Sequence, residues 1–171
     1  MIIFETERLV LREFDSADAE FIFELLNTPK FLKYIGDRGV HSVEDAREAI
    51  ENRYRKSYVD HGFGFYVVES RDREVPVGIC GFVTRDFLPG PDLGFAFMPE
   101  HERKGFGYES ASAMLKHGRE QLGFTTVLAI TSLDNEASIA LLEKLGFRFD
   151  KLIDNSGEQI RLFVSNSPAA P

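Results

Sequence analysis

The passage from Asp92 to Thr131 leaves the fold the least freedom. "DLGFAFM" (92–98) follows the turn residues "PGP" and reads as a strand. Between about Gly107 and Leu122, the residues Ala111, Met114, Leu115, Gly118 and Leu122 recur at helical spacing. "TTVLAIT" (125–131) is then a continuous apolar run, the pattern of a strand covered on both faces. Strand, helix and strand in that order predict a parallel pair joined by a right-handed crossover.

The remaining segments must be arranged around that unit. "RLVLREF" (8–14) alternates apolar and polar residues and predicts a strand. "DSADAEFIFELLN" predicts a helix capped by Asp15 or Ser16, with Phe21, Ile22, Leu25 and Leu26 inward and Pro29 as its stop. The stretch after it is less regular. Ser42 with Asp45 opens a second helix, striped by Ala46, Ala49, Ile50, Tyr54 and Tyr58 and ending near Gly62. "FGFYVVE" (63–69) and "VGICGFV" (77–83) read as an antiparallel pair around a charged turn. Gly94 predicts a bulge or a close backbone approach. Asn135 or Asp134 caps a helix with Ile139, Leu141, Leu142 and Leu145 inward, and Gly146 takes its left-handed C-terminal position. "FRFDKLI" and "QIRLFVS" are the last strands. The sum is one α/β (α+β) domain over residues 1–164, with a mixed sheet of about seven strands and about four helices. A flexible tail is expected over 165–171.

Composition narrows the function. The net charge of −8 argues against a nucleic-acid partner, because phosphate backbones attract basic surfaces. No apolar run reaches the ~18 residues of a membrane helix, and the acidic N-terminus is unlike a secretory signal. The single cysteine, Cys80, excludes an internal disulfide and fits a reducing cytoplasm. The four histidines, at 41, 61, 101 and 117, lack metal-ligand spacing, so no metal is expected.

"EHERKGFGYESA" (100–111) joins the predicted strand to the predicted helix. A glycine turn there leaves free N–H groups at the positive end of a helix, a site for anions. Gly105 and Gly107 would admit a phosphate to the main chain, with Arg103 and Lys104 adding charge. A plain solvated helix entry fits the same residues. The P-loop pattern G-x-x-x-x-G-K-[S/T] is absent, and a dinucleotide fingerprint would need a glycine where Ser110 stands.

A third reading fits the order of motifs. "ERKGFGYESA" and "NEASIALLEKLGF" (135–147) resemble the two signature segments of the GCN5-related N-acetyltransferases (GNAT). "TERLVLREF" and "DLGFAFMPEHERKGFGYESA" are similar to the RimJ/RimL-type branch of ribosomal-protein N-acetyltransferases. The resemblance spans about Thr6 to Val164. It implies acetyl-CoA as donor, an amine as acceptor, and direct attack in a ternary complex. A non-catalytic acyl-CoA-binding or regulatory module is the alternative on the same fold.

The resemblance also implies roles. Main-chain groups of Phe95, Ala96 and Phe97 would hold pantetheine and polarise the thioester, with Gly94 as the bulge that opens the strand. Arg103, Lys104, Gly105, Phe106, Gly107 and Tyr108 would wrap the pyrophosphate. Glu102 stands where the family often has Gln or Arg. Glu109 is expected to be structural. Asn135 caps the last helix and would touch the pantetheine arm. Asp92 is the candidate base, with Asp86 behind it. Leu142 occupies the place of the usual tyrosine acid, which leaves Ser138 as candidate proton donor. On the acceptor side Glu5, Glu20, Glu24, Asp37 and Asp154 suit a cationic amine, or are ordinary surface. The acceptor is unidentified, and the protein is expected to be a monomer or a homodimer.

Overall fold

The structure, a computed structural model, describes residues 1–167. One eight-stranded sheet runs through it. The strands are β1 (Ile2–Glu5), β2 (Leu9–Arg12), β3 (Phe65–Ser70), β4 (Val75–Val83), β5 (Asp92–Phe97), β6 (Thr126–Ser132), β7 (Arg148–Asn155) and β8 (Glu158–Asn166). Their spatial order is β1-β2-β3-β4-β5-β6-β8-β7. All neighbours are antiparallel except β5 and β6, which are parallel. The crossover between them is α5 (Phe106–Glu120), as the spacing predicts.

Alternation along the strands divides the core between two faces. On one face Tyr66, Val68, Cys80, Phe82 and Leu93 pack against Ala111, Met114 and Leu115 of α5 and Leu142 of α6 (Glu136–Lys144). On the other, Val67 and Ile79 meet Ile22, Leu25 and Leu26 of α1 (Ala19–Leu26) and Ala46, Ala49 and Ile50. Each fully buried large side chain contributes about 1.5–3 kcal/mol of transfer free energy. The sheet is therefore held rigid from both sides across its middle strands.

Four expectations need correction. The N-terminal strand is a hairpin pair, because Ile2–Glu5 also adds to the edge of β2. The irregular stretch after Asn27 contains α2 (Pro29–Tyr34). Pro29 starts this helix as well as following α1: Thr28 caps it through the Phe31 N–H, and proline at the first position needs no N–H donor. The helix from Ser42 is one rod, but α3 (Val43–Ala49) and α4 (Lys56–His61) are joined by a π-helical turn, Ile50–Arg55. The expected tail begins too early at Ser165. That residue is buried and registers with Val127, and β8 continues through Asn166. Residues 168–171 lie outside the described residues.

No helix among the described residues is long and apolar enough to cross a membrane.

Candidate active site

β5 and β6 part almost as soon as they meet. Their only register pair is Asp92 with Leu128, whereas β4 and β5 stay paired over six positions from Val83–Asp92 to Gly78–Phe97. Beyond Asp92 the parallel neighbours open a V. The register fixes which main-chain groups face it. Met98 N–H bonds to Val77 O at 2.9 Å, so alternate residues of β5 turn toward β4. Ala96 is among these and faces Ile79. Phe95 and Phe97 turn the opposite way, into the V. The expected trio thus reduces to two main-chain contributors, with Ala96 supplying only a small wall.

Gly94 is not a bulge, since it pairs regularly with Gly81. A Cβ there would come within 2.7 Å of the Phe65 ring, so the residue is a close approach. The strands open because β6 diverges from β5, with no extra residue involved.

Two cavities meet in the V. One, on the side of α5, is lined by Phe97, Arg103, Gly105, Phe106, Gly107, Tyr108 and Lys144. The other, of about 610 Å³, is lined by Arg38, Arg53, Tyr54, Phe65, Arg85, Asp92 and Thr131. Both share Phe95, Ala96, Asn135 and Ser138. The sequence-predicted residues therefore converge, except Lys104, which lines neither cavity, and Asp86, which is exposed outside them.

The first groove has the features of an anion site. Gly105 is the N-cap of α5, in the left-handed region at φ 80°, and no side chain caps the helix. The first main-chain donor to bond back is Glu109 N–H, to Gly105 O at 3.0 Å. The N–H groups of Phe106, Gly107 and Tyr108 have no acceptor within the helix. Gly107 serves packing: a Cβ would sit 3.0 Å from Leu141 Cδ2 of α6. Glu102 does not oppose an anion, because Lys30 of α2 pairs with it. His101 lies on the groove wall, its imidazole held below its ordinary pKa by burial and by Lys104.

Glu109 proves to be the brace of the loop. Its carboxylate accepts Thr6 Oγ1 at 2.7 Å, Arg8 N–H at 2.9 Å and Arg8 Nε at 2.7 Å. Arg8 Nη1 in turn donates to Lys104 O at 2.8 Å, and its guanidinium lies over the Phe106 ring. The turn before β2 thus holds the glycine loop from below.

Asp92 is buried at the apex of the V, 1% exposed, with Arg85 Nε at 3.0 and 3.2 Å from its two oxygens. Burial raises its pKa, and the Arg85 charge and hydrogen bonds oppose that rise. A carboxylate in this balance is a proton acceptor poised above the ordinary acidic range. Asn135 Oδ1 caps α6 through Ser138 N–H at 3.3 Å, leaving Nδ2 as a donor on the cleft wall. Ser138 stands on the first turn of α6, half-buried where the two cavities join. Leu142 is buried core. Cys80 is fully buried and its thiol is pushed up to about 12 by burial, so it is no nucleophile.

Sequence reasoning missed Tyr34, Arg38, Arg53, Tyr54 and Arg85. The Thr-Pro pair at 28–29 could have located α2 and hence Tyr34. Nothing in the sequence marks the π-helical turn that carries Arg53 and Tyr54. The five acidic residues expected on the acceptor side line neither cavity. Among the described residues, no cluster of three or more His, Cys, Asp or Glu could hold a metal ion.

The family model described as "Acetyltransferase (GNAT) domain" matches residues 8–148. An uncharacterized N-acetyltransferase of Bacillus subtilis (strain 168), YoaA, is 33% identical over 147 residues, which cover 85% of this chain and 82% of that protein. The crystal structure of a GNAT-family acetyltransferase from Bacillus anthracis is 25% identical, with a TM-score of 0.80 over 97% of this chain and 98% of that one. A RimL ribosomal L7/L12 acetyltransferase solved in complex with coenzyme A is 15% identical, with a TM-score of 0.78 over 99% of this chain and 100% of that one. That last likeness is one of fold alone.

Proposed function

The chain belongs to the GNAT acetyltransferase family, and from that premise we propose that it transfers the acetyl group of acetyl-CoA to a primary amine. Attack is direct, within a ternary complex. The observation that carries this reading is the meeting of two cavities at Phe95, Asn135 and Ser138, in the V between β5 and β6. The α5 groove is the donor side, and the cavity around Asp92 is the acceptor side.

On the donor side, the uncapped start of α5 and Arg103 suit a pyrophosphate. The open edge of β5 suits the amides of pantetheine, since a strand edge offers unpaired main-chain partners. Phe95 N–H is a fixed donor for the thioester oxygen, which gains charge as the amine adds. Such preorganised donors are the main electrostatic contribution to acyl transfer.

On the acceptor side, an aliphatic ammonium with a pKa near ~10 must lose a proton before attack. Asp92 accepts it. The amine nitrogen then bonds to the carbonyl carbon, the C–S bond breaks, and the second proton of the nitrogen passes through the Ser138 hydroxyl to the CoA sulfur, which leaves an amide, a neutral thiol and an unchanged serine. Leu142 offers no hydroxyl for that step, and Cys80 is too buried and too weakly acidic to carry an acetyl group.

The test is the kinetic order. Initial velocities at several concentrations of acetyl-CoA and amine should give intersecting lines, and mass spectrometry should find no acetylated protein. Parallel lines with an acetyl adduct would overturn direct transfer.

A further inference from the structure

We infer that the acceptor is a small amine that also carries an anionic group, carboxylate or phosphate, bound by Arg38 and Arg53 at the mouth of the acceptor cavity. This inference rests on the transferase reading above and specifies its substrate class.

The charge on the cavity wall runs against the charge of the chain. The protein carries a net −8, yet three arginines, Arg38, Arg53 and Arg85, line this cavity beside only two carboxylates, Asp92 and Glu158. Arg85 is already paired with Asp92. Arg38 and Arg53 form no ion pair with any described residue. They are nevertheless tied together, because Arg53 Nη1 donates to Arg38 O at 2.8 Å. Partial desolvation and the like charges of Arg85 and Arg53 hold the Arg38 guanidinium below its usual pKa. Such a cluster is relieved by an anion, and guanidinium groups match carboxylate and phosphate oxygens in pairs.

The backbone supports the same site. The helical rod departs from α-geometry only over Ile50–Arg55, the turn that supplies Arg53 and Tyr54 to the cavity. A π-helical turn is rare and gathers at functional sites. The Tyr54 ring is pinned by stacking on Phe14, with centroids 4.6 Å apart. Burial pushes its hydroxyl up to about 12, so it remains a hydrogen-bond donor.

The opposite wall is polar as well: Thr131 and Ser132 at the end of β6 line the same cavity. A volume of about 610 Å³, shared with the reacting end of the donor, suits a small molecule. A diamine would bring its second ammonium against the arginines, which is a repulsive arrangement.

The test uses pairs of amines that differ only in the anionic group, with the protein as a whole chain: β-alanine against β-alaninamide, alanine against alaninamide, and phosphoethanolamine against ethanolamine. Putrescine and two peptides, with Asp or Asn at the second position, complete the set. Free CoA thiol is the readout for turnover. Calorimetry on the CoA-saturated protein reads binding of the same pairs without turnover. We expect the anionic member of at least one pair to exceed its neutral partner tenfold or more in kcat/KM and in affinity. The first two pairs against the third distinguish carboxylate from phosphate. In Arg38→Gln/Arg53→Gln the ratio within that pair should fall toward one, and a ratio cancels any general loss of folded protein. Equal binding of anionic and neutral partners, preference for putrescine, a ratio that survives the double variant, or a peptide that outperforms every small anionic amine would each overturn the proposal. Selective binding of anionic amines with no turnover would instead leave the anion site standing and remove the transferase reading.

Discussion

Asp92 faces Leu128 at the one register position shared by β5 and β6, so the candidate base sits at the point where the two strands begin to part. The carboxylate is anchored by Arg85, in the loop that follows β4. A buried carboxylate is thereby fixed at the closed end of the V, while the main-chain groups of Phe95 and Phe97 face its open part.

Asp92→Asn should lower kcat at least tenfold while the KM for acetyl-CoA changes little, as for a group acting on the amine. The pH profile is a second check. Burial raises the Asp92 pKa, so in the wild type kcat/KM should rise with pH through an ionisation above the ordinary carboxylate value of about 4. That limb should be missing in the variant.

Arg85→Met removes the charge that opposes the raised pKa. The same limb should move to higher pH, and stability should fall by about 1–3 kcal/mol because a buried carboxyl loses its partner. Steady-state pH profiles and thermal unfolding read the two effects separately. An unmoved limb would show that Arg85 does not tune Asp92.

Glu109→Gln should weaken the fold more than the chemistry. Burial works against ionisation of Glu109, but the bonds from Thr6 and Arg8 outweigh it and hold the carboxyl below its usual range. A depressed folded-state pKa gives stability that is present above the unfolded value, about 4.3, and lost as pH falls through the folded one. The wild type should therefore lose stability below about pH 4.3, and the glutamine variant should lack that part of the decline. Denaturant unfolding at pH 3 and 7 reads the difference, and equal declines in both proteins would contradict it.

Gly94→Ala would place a methyl group 2.7 Å from the Phe65 ring. The ring lines only the acceptor cavity, so the KM for the amine should change severalfold while the affinity for CoA is kept. Loss of CoA affinity of the same size would place Gly94 in the donor groove instead.

Legibility in the sequence followed how local each cause was. The crossover, the glycine loop and the Asn135 cap depend on short-range spacing, and all were readable from "DLGFAFM", "RKGFGY" and "NEAS". The edge strand β1 was not, because Ile2–Glu5 pairs through contacts with β2 that no periodicity announces. Of the two readings of Gly94 the close approach holds and the bulge does not, for a related reason. A glycine is needed there for the Phe65 ring, a residue distant in sequence. The acceptor cavity was the least legible part. Its arginines come from two loops and a π-helical turn, and only tertiary packing brings Arg38, Arg53 and Arg85 to one wall. The acidic residues that suggested a cationic acceptor were ordinary surface, as one of the two readings of the sequence held.

The most direct test of the central claim is the release of free CoA thiol from acetyl-CoA across the amine panel, by wild type, Asp92→Asn and Ser138→Ala. The account predicts thiol release that depends on an amine, and a drop of tenfold or more in at least one variant. Acetyl-CoA binding with no amine-dependent thiol release, or turnover undiminished in both variants, would contradict it.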